Sequence, residues 1–66
     1  MSWTWRYEDA RGVVLDRPKP EAFPSQSDAE SWLGEHWRNL QAQGVYQVVL
    51  LDESSVVYGP MGLEPA

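Results

Sequence analysis

A chain of 66 residues without a cysteine has no disulfide to hold its fold together, so its hydrophobic core must do so alone. A domain of this size buries only about 60% of the surface that its unfolded chain exposes. The sequence answers this constraint with aromatic bulk, since it contains four tryptophans, three tyrosines and one phenylalanine. Each large aromatic side chain buries about 150–250 Å². We therefore interpret the tryptophans first as core residues of one small domain that spans residues 1–66.

The charge of the chain restricts the partners that it can have. Ten acidic and five basic residues give a formal net charge of −5, whereas nucleic acids and anionic membranes are bound by positive surfaces. The longest fully apolar run, residues 48–51, is too short to cross a bilayer. Residues 1–6 lack the features of a signal peptide. We predict a small acidic cytoplasmic protein that binds neither nucleic acid nor membranes.

The first part of the chain alternates in the manner of a β-strand. Over residues 2–8, three aromatic side chains point to one face and polar ones to the other. Gly12 suits a tight turn, after which residues 13–16 form a second predicted strand with Leu15 opposite Tyr7. The aromatic face of the first strand consists of Trp3, Trp5 and Tyr7. Three prolines make residues 16–24 a connector, anchored to the core by Phe23.

A helix is predicted over residues 26–43. Ser25 or Ser27 caps its start, and Gly44 is a good residue to end it. Gly34 costs the helix about 1 kcal/mol relative to alanine, and it either lets something pack close or is simply tolerated. One face of the helix is apolar and carries Ala29, Trp32, Leu33, Trp37 and Leu40.

Two further strands complete the predicted fold. They span residues 45–52 and 56–59, with a turn between them, and Gly59-Pro60 is expected to end the last strand. Residues 61–66 form a tail that could still dock Met61 or Leu63. The element order predicts an α+β fold, a two-layer ββαββ sandwich in which one helix packs on one face of a four-stranded antiparallel sheet of two hairpins.

One helix leaves the other face of such a sheet open. The apolar run of residues 48–51 puts side chains on both faces, and we place Val48 and Leu50 toward the helix. An outward apolar strip can mark a contact surface, although scattered surface aliphatics need no explanation. The predicted partner-binding residues are Val49, Leu51 and Val57 on this strip, with Arg6 and Trp3 on the first strand.

The polar residues do not predict a catalytic or metal site. His36 is the only histidine, and Ser54 or Ser55 could be a nucleophile, but nothing in their spacing brings a base to a nucleophile. Aspartates near turns are explained by turn chemistry. The carboxylates in question are Asp9, Asp16, Asp52 and Glu53. We predict no catalytic residue, no cofactor and no metal.

Three segments, residues 2–7, 23–35 and 57–61, together resemble a family of short uncharacterised proteins from high-GC bacteria. The resemblance covers nearly the whole chain and implies a free-standing cytoplasmic protein. It describes a fold rather than a reaction, so it carries no functional residue onto this sequence. Ser55 stands where the resemblance implies a glycine in the last hairpin turn.

These observations lead to one main hypothesis, a non-catalytic protein-interaction module such as a regulatory or accessory protein. It would bind through the open sheet face or a sheet edge. Three alternatives stay open: a homodimer through the same face, a small-ligand or metal-binding enzyme that uses His36 and the turn carboxylates, and a nucleic-acid binder that stacks bases on Trp3.

Overall fold

The computed structural model describes residues 2–17 and 20–63, which form four strands and one helix. The elements are β1 (Trp3–Glu8), β2 (Ala22–Phe23), α1 (Gln26–Ala42), β3 (Gln47–Asp52) and β4 (Ser55–Gly62). The strands form one antiparallel sheet in the order β2-β1-β3-β4. The predicted α+β class with ββαββ order is confirmed. Residues 1, 18, 19 and 64–66, which include part of the predicted connector and tail, lie outside the described residues.

The second strand lies later in the chain than the alternation predicted. Residues 13–16 form only an isolated bridge between Val14 and Glu8, and the sheet strand is β2, in which Phe23 pairs with Trp3. The reason is burial: Phe23 packs 5.5 Å from the ring of Trp32, whereas Val14 stays 57% exposed. The tight turn predicted at Gly12 is present, since the N–H of Gly12 donates to the carbonyl oxygen of Asp9 at 3.0 Å and that of Leu15 donates to the carbonyl oxygen of Tyr7 at 2.8 Å. The segment after this turn does not continue as a sheet strand, and a connection leads from it to β2.

The core lies between β1, β3 and α1. In the ladder, Trp5 pairs with Leu50 and Tyr7 with Val48, so these four side chains share the face that meets the helix. The indole N–H of Trp5 donates a hydrogen bond to the carbonyl oxygen of Ala29 at 2.9 Å. This bond satisfies the one polar atom of a side chain that is only 1% exposed. The buried core residues are Trp5, Tyr7, Ala29, Leu33, Leu40, Val45, Val48, Leu50 and Leu63.

Both ends of α1 are fixed by local sequence. At the start, the hydroxyl of Ser25 accepts a hydrogen bond from the backbone N–H of Asp28 at 3.1 Å. At the end, Gly44 has a φ of +97°, and the N–H of Val45 donates to the carbonyl oxygen of Leu40 at 3.0 Å. This is a Schellman motif, and its two apolar residues, Leu40 and Val45, both enter the core.

The helix does not sit over the middle of the sheet. Its backbone approaches β1 and β2, while β4 lies at the far edge beyond β3. The helix-facing side of β4 is therefore less covered than the rest of the sheet. Among its residues, Tyr58 is only half-buried and Met61 is 38% exposed.

β4 is irregular, and it continues through the residues that were expected to break it. Its register against β3 shifts between Val48 and Leu50 and again between Leu50 and Leu51. An edge strand with such bulges tolerates a proline, so Pro60 does not end β4, which runs to Gly62. Gly59 presses against the sheet, since a Cβ there would lie 2.9 Å from the Cα of Val49.

The first prediction concerns this close approach. Gly59→Ala should destabilise the fold by about 2–3 kcal/mol, because the new methyl group collides with backbone and Gly59 has a φ of +121°. Gly62→Ala is the matched control, since a Cβ at Gly62 meets nothing within 4 Å. Urea unfolding of both variants measures the difference. Equal stabilities would contradict the packing of β4 on Val49.

The second prediction concerns alkaline pH. Burial, with the nearby charge of Glu21, raises the pKa of Tyr7 from 10.0 to about 12. A neutral phenol is favoured in the folded state, so its contribution is complete below pH 10 and is lost as the pH rises through 12. The loss should amount to about 2–3 kcal/mol. The unfolding free energy of the wild type should fall by this amount relative to that of Tyr7→Phe, which has no phenol to ionise at this position.

Tyr46→Phe serves as the control for alkaline unfolding because the side chain of Tyr46 is 44% exposed. Its stability should stay parallel to that of the wild type between pH 9 and 12. A pH dependence that Tyr7→Phe leaves unchanged would show that another group causes the alkaline loss.

Candidate functional site

The predicted outward strip loses its central residue. Val49 does point away from the helix, paired with Arg6, yet its side chain is only 2% exposed. The irregular β4 explains this, since Gly59 lies directly against Val49. Val49 was predicted as a partner-contact residue, but it is buried and offers no accessible surface to a partner.

A polar network lies on the same face, at the end of the ladder where β1 ends and β3 begins. The guanidinium of Arg6 binds Oε2 of Glu8, with Nε and Nη2 each at 3.1 Å. The other oxygen of Glu8 accepts a hydrogen bond from Nε2 of Gln47 at 2.7 Å. Glu8 is only 6% exposed, so this carboxylate is buried and fully paired. Arg6 therefore has a structural partner within its own sheet.

The five predicted contact residues do not form one surface. Trp3 packs against the core on the helix side of the sheet, opposite to Arg6. Leu51 is half-buried, and Val57 is 41% exposed. Val56 pairs with Leu51 and is 55% exposed. We call Leu51, Val56 and Val57 the outer strip.

A groove on the opposite face has the properties of a binding site. It runs between α1 and β4, encloses about 290 Å³, and exists because the helix leans toward β1 and β2. We call it the α1–β4 groove. It is lined by Glu30, Leu33, Gly34, Trp37, Tyr58, Met61 and Leu63. Two features of the sequence pointed to this site, namely the possible docking of Met61 or Leu63 and the glycine at position 34 of the helix.

The floor and walls of the α1–β4 groove are held by the core. Leu33 and Leu63 are 7% and 6% exposed, and both belong to the core cluster. The ring of Tyr58 meets Trp5 edge to face, with centroids 6.2 Å apart. The guanidinium of Arg38 lies 5.2 Å from the ring centre of Trp37. Two aromatic walls are thus fixed before any ligand arrives, and such preorganisation lowers the cost of binding.

Gly34 forms a gap in the helical wall of the groove. A Cβ built at this position meets nothing within 4 Å, so the space beside the helix is open. The sequence suggested that Gly34 either lets something pack close or is simply tolerated. No described part of the chain packs close to it, and it lines a concave surface that has room for another group.

One carboxylate stands at the rim of the groove. Burial raises the pKa of Tyr58, and the charge of Glu30 and a hydrogen bond to it raise this pKa further. Glu30 also accepts a hydrogen bond from Nε2 of Gln26 at 2.8 Å. The lining of the groove therefore contains one acid and, among its seven residues, no base.

Two of the candidate catalytic residues, His36 and Asp9, are engaged in local contacts. The ring of His36 stacks on Trp32 with centroids 4.7 Å apart, and its Nδ1 donates to the carbonyl oxygen of Trp32 at 2.9 Å. Asp9 accepts hydrogen bonds from the backbone N–H groups of Arg11 and Val13, at 2.8 and 3.0 Å. Within residues 2–17 and 20–63, no three histidine or acidic side chains come together as metal ligands.

A second, larger depression of about 450 Å³ lies where the turn after β1 meets the end of α1. Its lining consists of Asp9, Ala10, Arg11, Gln41, Gly44, Val45 and Tyr46. Tyr46 is its only aromatic residue, and Asp9 is already bound to its own turn. The smaller α1–β4 groove has the aromatic walls and apolar floor typical of binding pockets, so we take it as the candidate site.

Comparisons with known proteins give no functional information, so the function is proposed from the geometry of the structure alone. No family model, no curated protein and no solved structure significantly matches this chain. No helix of the described part of the chain is long and apolar enough to cross a bilayer. The resemblance to short proteins of high-GC bacteria stays a prediction.

The third prediction concerns Gly34. Gly34→Ala should stabilise the protein by about 1 kcal/mol, because alanine is the better helix former and its methyl group has free space. Gly34→Leu should also fold, since its side chain enters the open groove. Gly44→Ala is the contrasting control and should destabilise, because Gly44 has a φ of +97°. Urea unfolding that shows a loss for Gly34→Ala would contradict the open groove.

Proposed function

We propose that this protein is a non-catalytic protein-interaction module that receives an apolar side chain of a partner in the α1–β4 groove. The observation that carries this proposal is the placement of α1, which leaves aromatic surface uncovered beside β4. A domain of 66 residues has little core to spare, so an open apolar groove is costly unless a ligand fills it.

The composition of the groove supports binding to protein. Tryptophan and tyrosine are enriched among the residues that dominate binding energy, and Trp37 and Tyr58 form two walls. Met61 adds a flexible side chain that adapts to different shapes, and it is 38% exposed. Apolar area removed from water contributes roughly 25 cal/mol per Å². The groove thus offers a compact anchor point rather than a broad interface.

The edges of the sheet are less suitable than the groove for binding a partner. β4 is an edge strand, but its bulges interrupt the ladder, and Pro60 has no N–H to donate. A partner strand would find an incomplete row of hydrogen-bonding groups there. β2, at the other edge, has only two residues, Ala22 and Phe23.

A homodimer through the outer strip is the second candidate. It is favoured by the exposure of Val56 and Val57, at 55% and 41%. A stable interface buries about 800 Å² per protomer, which is nearly a fifth of the 4425 Å² that this chain exposes. Three aliphatic side chains beside the paired Arg6 do not supply such an area alone. The outer strip is therefore the weaker of the two surfaces.

The proposal includes a protein partner, a cytoplasmic location and no nucleic-acid or membrane binding. A net charge of −5 supports the absence of nucleic-acid and membrane binding, because it repels phosphates and anionic lipids. A small-ligand or metal-binding enzyme is not proposed, since His36 and Asp9 are each engaged in local hydrogen bonds.

The fourth prediction tests the groove against the outer strip. A random peptide library displayed on phage is selected on the wild-type protein, and the enriched peptides are then measured on two variants. Gly34→Leu fills the groove and should abolish their binding. Val56→Glu places a charge on the outer strip and should leave binding unchanged. Unfolding curves of both variants confirm that each is folded.

Three outcomes would contradict this assignment. Peptides that bind Gly34→Leu as well as the wild type would exclude the groove. Loss of binding in Val56→Glu alone would favour the outer strip. No enrichment, together with a dimer by light scattering at micromolar concentration that Val56→Glu dissociates, would replace the interaction module by the homodimer.

A further inference from the structure

We infer that the α1–β4 groove selects a basic partner segment, in which a large apolar side chain stands beside a lysine or arginine. This inference rests on the proposed function, since it names the chemistry of the ligand in the same groove. It follows from the position of one carboxylate and from the charges around it.

The carboxylate of Glu30 lies at the α1–β4 groove. Glu30 lines the groove, and its effect on the pKa of Tyr58 places its charge next to the phenol that forms one wall. The hydrogen bond from Gln26 holds one carboxylate oxygen at 2.8 Å from Nε2. A cation at the mouth of the groove would therefore meet the carboxylate of Glu30.

The residues that line the groove do not balance the charge of Glu30. None of the seven lining residues is basic, and the guanidinium of Arg38 lies over the ring of Trp37, 5.2 Å from its centre. An anionic group entering the groove would face Glu30 without a lining cation to compensate. The net charge of −5 acts in the same direction, because it attracts basic partners over a longer range.

The volume of the groove limits what it can hold. Sites for drug-sized ligands enclose about 300–1,000 Å³, and the groove, at about 290 Å³, lies at the lower limit. It holds one large side chain with its neighbouring charge and not a whole helix. Its apolar floor, Leu33 and Leu63, takes the apolar part, and Glu30 at the rim takes the cation.

The experiment uses three small probes that share one aromatic ring and differ in charge. They are 2-phenylethylammonium, 2-phenylethanol and phenylacetate, titrated at pH 7 and low salt into ¹⁵N-labelled protein and followed by NMR. All three should shift the amide signals of Gly34, Trp37 and Leu63. The dissociation constant of the cation should be about fivefold lower than that of the anion, as expected for one partly solvated ion pair.

Two variants with the same change of net charge separate a local effect from a general one. Glu30→Gln should remove most of the preference for the cation while the neutral probe still binds. Glu35→Gln, an exposed position on α1 outside the groove lining, should keep the preference. Salt at about 0.5 M should weaken only the advantage of the cation, because it screens exposed charges.

The possible failures are distinct. If none of the probes shifts the groove signals, the proposed function and the inference both fall. If the three probes bind equally, or if Glu30→Gln and Glu35→Gln behave alike, the groove remains a binding site but the choice of a basic segment is wrong.

Discussion

The packing of Trp5 is the interaction on which the other parts of this fold depend. Its ring is buried in the centre of β1, pairs across the ladder with Leu50, and meets the ring of Tyr58 on β4 edge to face. Its indole N–H donates a hydrogen bond to the carbonyl oxygen of Ala29 in the helix. One side chain therefore connects both layers of the protein, and a polar bond fixes where the helix rests on the sheet.

The position of α1 decides which surfaces the protein can offer. Because the helix packs against β1 and β2, it covers that part of the sheet and leaves the part beside β4 open. The opposite face is closed by different means, through the ion pair of Arg6 with Glu8 and the approach of Gly59 to Val49. The centre of the outer face, at Val49, is thereby buried, and the groove beside β4 offers an apolar surface on the other face of the sheet.

Local signals predicted the helix well, and longer-range pairing was harder to predict. Ser25 and Gly44 act on backbone groups within a few residues, so the helix ends could be read directly. The pairing of Phe23 with Trp3 depends on the tertiary contact with Trp32, which no alternation pattern encodes. The groove could not be predicted from the sequence for the same reason, because it arises from the lateral position of the whole helix on the sheet.

The floor of the groove is also part of the hydrophobic core. Leu33 and Leu63 face both, so any molecule that rests on them shields core side chains from water. Binding and folding then share one free-energy balance, in which a ligand at a hundred times its dissociation constant adds about 2.7 kcal/mol to the stability of the folded state. For a domain this small, such an increment is a large fraction of the total, so a ligand bound in the groove would raise the folded fraction of the protein.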